Sequence, residues 1–333
     1  MTPAYPTALT EQLGIEVPLL CGAMYPCSNP ELVAAVSEAG GIGIFQPISL
    51  VSVHRHEYRE GLRLMRRLTS KPLGMNVIVE SSSQTYQERM KRWMDLAIEE
   101  GVRFFVTSLG NPRWVVEKAH AVSGLVYHDV TEARFAKKAV EVGVDGLIGV
   151  NRRAGGHAGP KGLEELYTEL APFGLPVVAA GGIGDEREFV TALELGYAGV
   201  QMGTRFIATE ECHAHPDYKQ AILDAGEEDI VLTERLTGVP VAVIRTPYVE
   251  RLGTKAGPIA RWLLSGRRTK HWMRAFYTLR SLGTLRRSSL EGGAYRDYWQ
   301  AGKSVATIQA IEPVATIVHR FAEAARGAWR AGH

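Results

Sequence analysis

Short apolar runs alternate with amphipathic stretches along the first two thirds of the chain. The apolar runs predict strands at 18–24, 41–46, 72–79, 102–109, 124–130, 146–151, 176–183 and 199–207. The segments between them carry apolar residues at helical spacing, and several end at a glycine, which is a common helix stop. Thr131 and Asp185 lie where N-cap residues would begin two of these helices.

An unbroken series of eight strand–helix units predicts an α/β protein, a (β/α)8 TIM barrel whose active site lies on the loops after the strands. The alternative is an open, doubly wound sheet, but no GxGxxG follows the first strand. We predict a barrel over 1–225, completed by a C-terminal helix at 303–333. Between them, 226–302 is predicted to be a smaller, basic, mainly helical lid after strand eight.

Composition is that of an ordinary soluble protein, with 45% hydrophobic and 22% charged residues. The three cysteines lack metal-ligand spacing, no apolar run is long enough to span a membrane, and the N-terminus does not resemble a signal peptide. We therefore expect a cytoplasmic protein without a metal site and without membrane or nucleic-acid partners. The sequence leaves the oligomeric state open, a homodimer among the options.

Charge is distributed unevenly, although the net charge is only +2. Residues 245–296 contain 12 Lys or Arg and two acidic residues, a local net charge of +10. A segment this basic suggests an acidic ligand or partner. The alternative is a solvated helical surface.

Two glycine-bearing strand ends occur in succession, Ala180-Gly181-Gly182 after strand seven and Gln201-Met202-Gly203-Thr204 after strand eight. TIM barrels often bind a phosphate group between these two loops, through backbone N–H groups that glycine leaves accessible. The pair therefore predicts a phosphate site. The alternative is that the glycines only form tight turns.

Other polar or glycine-rich strand ends would supply the rest of a cofactor site. Asn76 ends strand three, Gly22-Ala23-Met24 follows strand one, and His128 lies near the end of strand five. Their structural alternatives are a turn residue for Asn76 and core packing for Met24. After strand six, the segment NRRAGGHAG (151–159) brackets His157 with glycines, among them Gly155 and Gly156.

The stretch AAGGIGDEREFVTALELGYAGVQMGTRF (179–206) resembles the signature of the FMN-dependent nitronate monooxygenases, formerly 2-nitropropane dioxygenases. The resemblance extends to GAM after strand one, KPLGMNV at strand three and AGGHAG after strand six. It implies that FMN phosphate is held by the loops after strands seven and eight. It also implies that Asn76 and the Gly22–Met24 turn contact the flavin ring, with Gly156 and His157 on the substrate side.

The activity implied is oxidation of a small-molecule substrate, an alkyl nitronate, by O2 to a carbonyl compound and nitrite, with His157 as base or substrate-binding group. Relatives of this family include enoyl-acyl-carrier-protein reductases and NADH:quinone reductases. An NAD(P)H-dependent flavin reductase acting on enoyl thioesters or quinones is therefore the alternative. A non-catalytic barrel that binds an acidic partner is the alternative from another class.

The sequence departs from the family pattern directly before His157. The family commonly has Gly-x-Glu-Ala there, whereas this chain has Asn151-Arg152-Arg153-Ala154. Cations near an imidazole lower its pKa and attract anions. We therefore expect the two arginines to depress the pKa of His157 and to favour an anionic substrate.

Overall fold

Eight parallel strands close into a barrel in chain order. The computed structural model describes residues 2–80, 84–235, 240–255, 283, 285–291 and 298–332. The strands are β1 (Leu19–Cys21), β2 (Ile42–Phe45), β3 (Leu73–Ile78), β4 (Phe104–Ser108), β5 (Leu125–Val130), β6 (Gly146–Val150), β7 (Val177–Ala180) and β8 (Gly199–Met202). Each strand pairs in parallel with the next, and β8 pairs with β1. The predicted TIM barrel is confirmed.

Helices connect the strands on the outside of the barrel. They are α2 (Pro30–Glu38), α3 (Tyr58–Leu68), α4 (Gln84–Glu99), α5 (Arg113–His120), α6 (Ala133–Val140), α7 (Leu163–Leu170) and α8 (Glu186–Glu194), whereas α1 (Ala8–Leu13) precedes the first strand. Beyond β8 lie α9 (Thr204–Ile207) and α10 (Pro216–Asp224). Asp185 caps α8 as predicted, since its carboxylate accepts from the Glu188 amide.

Two local predictions are wrong. The N-cap of α6 is Glu132 and not Thr131, and its side chain makes no capping bond. The strand predicted at 199–207 ends at Met202, because the chain turns at Gly203 into the short helix α9. The apolar residues Phe206 and Ile207 are buried in that helix and do not extend the strand.

Side-chain alternation along the strands divides the core into two layers. One cluster fills the barrel and includes Leu20, Ile44, Val106 and Ile148. The other, between strands and helices, includes Leu19, Met75, Phe105 and Val126. Leu9 and Leu13 of α1 join the first cluster, and the Tyr127 hydroxyl donates to the Gln12 amide oxygen at 2.7 Å. Helix α1 therefore closes the end of the barrel opposite the carboxyl ends of the strands.

The described part of 226–302 contains an antiparallel hairpin of β9 (Ile230–Thr233) and β10 (Val241–Ile244), followed by α11 (Pro247–Leu252). A π-helical turn follows at Arg287–Glu291. The predicted lid also includes 236–239, 256–282, 284 and 292–297, which lie outside the described residues. Most of the basic segment falls in those ranges.

The C-terminal part of the chain returns to the barrel. A 3-10 turn spans Lys303–Thr307, and α12 (Val314–Gly332) packs against α8 and α2. The helix predicted at 303–333 therefore begins later, directly after Pro313, whose ring disfavours helical geometry in the residue before it. Within the described ranges, no helix is long and apolar enough to cross a membrane.

Candidate active site

The carboxyl ends of the strands carry a ring of small and polar residues inside the barrel. In TIM barrels the inward side chains form layers, each from alternate strands. Alternation from the interior residues places Asn76 of β3, Asp129 of β5 and Ala180 of β7, together with Gly22 directly after β1, in the layer just below the opening. We call these four residues the mouth ring. It is small on the β1 and β7 side and polar on the β3 and β5 side.

The loop after β7 needs its glycines for packing. Gly181 and Gly182 have φ of +113° and +75°, values that suit glycine. A Cβ at position 182 would lie 2.4 Å from the Cβ of Arg153, and one at 181 would lie 2.6 Å from the Ala154 nitrogen. These two glycines therefore let the loops after β6 and β7 lie against each other.

Gly203 has a different environment. A Cβ there would meet only the side chain of Met24, at 3.4 Å, so the space beside it is open. The Thr204 hydroxyl accepts from the Gly302 amide at 3.0 Å, which leaves its own proton to donate. Within the described part of the chain, the amides of Gly182 and Gly203 donate to no protein acceptor. These unpaired donors, beside the short extra helix α9, fit the phosphate of FMN.

The residues predicted to contact the flavin ring are Asn76 and the Gly22–Met24 turn, and the side chain of Gln201, which was predicted with the phosphate site, lies beside Gly22. A Cβ at Gly22 would lie 3.0 Å from Gln201 Cδ, so this glycine makes room for the glutamine side chain. The Asn76 amide is buried and donates weakly to the Val106 carbonyl at 3.4 Å, which leaves its oxygen and one N–H. Ala23 is partly buried beside the barrel interior, and the loop after β1 is held by the Met24 amide donating to Ser28 Oγ at 2.8 Å.

His128 lies on the opposite face of β5 from the mouth ring. Its neighbours on that face, Val126 and Val130, belong to the layer between strands and helices. The ring is buried, its Nδ1 lies 2.8 Å from Thr107 Oγ1, and burial lowers its pKa to about 4. The structure therefore does not bring the predicted cofactor contact His128 together with Asn76 and Gly22.

Asp129, which the sequence reasoning passed over, has the inward position that was expected of His128. Its Oδ1 is buried and, among the described residues, has no hydrogen-bond partner. Burial raises the pKa of this carboxyl to about 7. The signal was present in the alternation of LVYHDV, which places Asp129 on the same face as the interior residue Tyr127.

Asn151 organises the loop after β6. Its side-chain amide donates to the Gly181 carbonyl at 2.8 Å, and its Oδ1 accepts from the Arg153 amide at 2.7 Å. Its own amide donates to the Ala180 carbonyl at 2.9 Å. The residue is fully buried. Asn151 thus joins the β6 loop to the β7 loop. The glycine of the family pattern has no side chain that could form these hydrogen bonds.

The two glycines before His157 contact other parts of the chain. A Cβ on Gly155 would lie 2.8 Å from the Gly302 nitrogen, so this position permits close approach of the returning chain. Gly156 has φ +67°, and its carbonyl accepts from the Ala242 amide of β10 at 2.7 Å. His157 is therefore presented by a loop fixed on one side by Gly302 and on the other by the hairpin.

The His157 side chain remains accessible to solvent, yet surrounding protein displaces enough water to lower its pKa. The side chain is thus reachable from solvent while neighbouring protein still disfavours its charged form. The imidazole is therefore neutral at pH 7 and can accept a proton.

Arg153 does not act on His157 in the way expected from the sequence. Its guanidinium pairs with Glu227 at 2.8 Å and Glu188 at 3.2 Å, and Lys303 pairs with Glu227 at 3.0 Å. The pKa of His157 is lowered by burial, with no contribution from a cation. The expectation that the arginines depress this pKa is thus wrong, because Arg153 is neutralised and Arg152 is exposed beside Gly162.

The family model described as nitronate monooxygenase matches residues 6–323. The chain belongs to the nitronate monooxygenase family. A probable nitronate monooxygenase from Staphylococcus saprophyticus is 29% identical over 290 residues, covering 74% of this chain and 80% of its own. The chain is thus an enzyme, an oxidoreductase of a flavin-dependent family.

Other relatives carry different names. The (3aS,4S,5R,7aS)-5-hydroxy-7a-methyl-1-oxo-octahydro-1H-indene-4-carboxyl-CoA dehydrogenase of Rhodococcus jostii is 33% identical over 247 residues, covering 74% of this chain and 67% of its own. The structure of FabK from Thermotoga maritima superposes with a TM-score of 0.79 at 30% identity, covering 98% and 97% of the two chains. The chain is therefore similar to proteins that are named for different activities.

Proposed function

We propose that this member of the nitronate monooxygenase family is an FMN-dependent oxidoreductase that acts on an acyl-CoA thioester, with His157 as its acid–base residue. The observation that carries the proposal is the solvent-accessible imidazole of His157 on the β6 loop, whose pKa the surrounding protein lowers, at the same end of the barrel as the unpaired donors of the β7 and β8 loops. A neutral base at this place suits a substrate that must lose a proton from carbon.

The choice of a thioester rests on two further points. The dehydrogenase from Rhodococcus jostii and one of the same name from Mycobacterium tuberculosis, named for a carboxyl-CoA compound, are 33% and 32% identical to this chain. The +10 charge of residues 245–296 also suits the phosphates of a CoA ester.

FMN would be held by the residues whose donors are unpaired. The amides of Gly182 and Gly203 and the hydroxyl of Thr204 would bind its phosphate, and Asn76, Gln201 and Met24 would contact its ring. Bound FMN would supply a two-electron acceptor or donor. The unprotonated ring nitrogen of His157 would take the proton from the carbon next to the thioester carbonyl, or return it there in the reductive direction.

Nitronate oxidation is the second candidate, favoured by the family model and by the curated relatives from Staphylococcus. A neutral His157 would also serve to deprotonate a nitroalkane. It serves less well to bind a nitronate, because that anion needs a cation and Arg153 is already paired with two carboxylates.

Anaerobic stopped-flow mixing tests the proposal. The FMN-reconstituted enzyme is mixed separately with a saturated acyl-CoA, with propionate 3-nitronate and with NADH or NADPH, and flavin absorbance is followed. We expect bleaching by acyl-CoA, or bleaching by NAD(P)H followed by reoxidation with the enoyl-CoA. Bleaching by the nitronate alone supports the second candidate. A protein that takes up no FMN would instead be the non-catalytic barrel.

A further inference from the structure

Asp129 is a half-buried residue with one buried carboxyl oxygen, and the chemistry above has no use for it. It belongs to the mouth ring, and its Oδ1 is enclosed by protein without a hydrogen-bond donor among the described residues. Burial is the only cause that raises its pKa to about 7, so no cation compensates its charge. An acceptor left unpaired in such a place costs stability unless a ligand satisfies it.

The elements on either side of Asp129 present no charge to it. The inward residues of β4 are Val106 and Ser108, and those of β6 are Ile148 and Val150. On the same side of the mouth ring, Asn76 of β3 is a neutral amide. Of the histidines at this end of the barrel, His128 faces the opposite side of β5 and His157 lies on the loop after β6.

We propose that Asp129, in its protonated form, pairs with the imide edge of the flavin ring and is the residue that recognises this edge. The proposal rests on the proposed binding of FMN. An imide edge presents an N–H between two carbonyl oxygens. A neutral carboxyl donates its O–H to one carbonyl and accepts from the N–H, whereas an ionised carboxylate offers acceptors only.

The mouth ring supports this orientation. Its small members, Gly22 and Ala180, lie on the side of the β7 and β8 loops, where the phosphate donors are. Its polar members, Asn76 and Asp129, lie on the side of β3 and β5. A flavin whose phosphate is held by the β7 and β8 loops would therefore extend the polar edge of its ring over Asn76 and Asp129.

Binding of riboflavin to the apoprotein tests the proposal, because riboflavin has the same ring without a titrating phosphate. We expect wild-type protein to bind riboflavin about tenfold more weakly at pH 8 than at pH 6, as a carboxyl of pKa about 7 ionises. The Asp129→Asn variant, which keeps a donor and an acceptor, should show no such change. Asp95→Asn, on the exposed surface of α4, is the matched control and should behave like wild type.

A second measurement needs no variant. Calorimetric titration of wild-type protein with riboflavin at pH 8, in two buffers of different ionisation enthalpy, should show uptake of about one proton per ligand, because the ionised carboxyl must be protonated to bind. Absence of proton uptake, or the same pH dependence in Asp129→Asn as in wild type, overturns the role of Asp129 while FMN binding stands. Failure of wild-type protein to bind either flavin overturns both proposals.

Discussion

The surroundings of His157 determine what its imidazole can do. Its side chain is open to solvent, but the protein around it lowers the pKa. A base works best when it is unprotonated at the working pH and still close enough to neutrality to accept a proton. Among the residues that the structure describes, no carboxylate or arginine forms a hydrogen bond or ion pair with His157, and desolvation by the surrounding protein is what lowers its pKa.

Replacing His157 by alanine should lower kcat by about 100-fold or more, because the proton transfer then lacks its base. FMN content, measured by absorbance, should stay at the wild-type level. His319→Ala, on the exposed surface of α12, is the control and should leave both quantities unchanged. Wild-type turnover in His157→Ala would remove the histidine from the mechanism.

Replacing Arg153 by methionine tests whether charge or burial sets the pKa of His157. Because desolvation by the protein, and not the charge of Arg153, lowers the pKa of His157, the midpoint of the acidic limb of kcat/KM against pH should be the same in the variant as in wild type. Overall stability should change little, because the ion pairs of Arg153 are partly exposed. A midpoint that moves upward in the variant would show that the guanidinium acts on the imidazole after all.

At the scale of elements, the period of apolar residues was sufficient to predict all eight strands, since each is short, buried and bounded by a turn. The period was less informative at strand ends. His128 is a polar residue near the end of strand five, but it is the alternation of side chains that decides which residue faces inward, and that residue is Asp129. The contacts of Gly155 with Gly302 join residues far apart in the chain, and no local pattern predicts them.

The β6 loop and the returning chain depend on each other through Gly155. Alanine at this position would place a Cβ 2.8 Å from the Gly302 nitrogen and 2.9 Å from the Ala301 carbonyl carbon. We expect the Gly155→Ala variant to lose about 1–3 kcal/mol of unfolding free energy, measured by denaturant titration.

Gly327→Ala is the matched control for that substitution. It lies in α12, where a Cβ meets nothing within 4 Å, so it should stabilise the protein by about 0.5–1 kcal/mol. Equal effects of the two substitutions would mean that the contact between Gly155 and Gly302 is unimportant.

At the scale of the whole molecule, the barrel is completed by segments distant in sequence. Helix α12 packs on α2 and α8, and its Arg320 pairs with Glu312 and Glu186. The hairpin and the 303–307 turn lie against the loops of the site. The resemblance to a flavoenzyme family could be found from the β7 and β8 motifs, but the proteins to which the chain is similar are named for different activities. The substrate therefore depends on parts of the chain outside those motifs.

The free energy of unfolding should depend on pH because the Asp129 carboxyl is partly enclosed by protein. An unfolded aspartate has a pKa of about 3.9, whereas burial raises it to about 7 in the folded protein. Well below pH 4 the carboxyl is neutral in the folded and in the unfolded protein, so it does not lower the free energy of unfolding. As pH rises towards 7 the unfolded chain releases the proton first, so folded wild-type protein loses stability, whereas Asp129→Asn does not. Because part of the residue is exposed, we expect about 1–2 kcal/mol, which is about 1.5–3 °C in the Tm of the apoprotein. The Tm of Asp129→Asn relative to wild type should therefore rise by about that amount between pH 4 and pH 8, and a constant difference would show that the carboxyl titrates as it does in water.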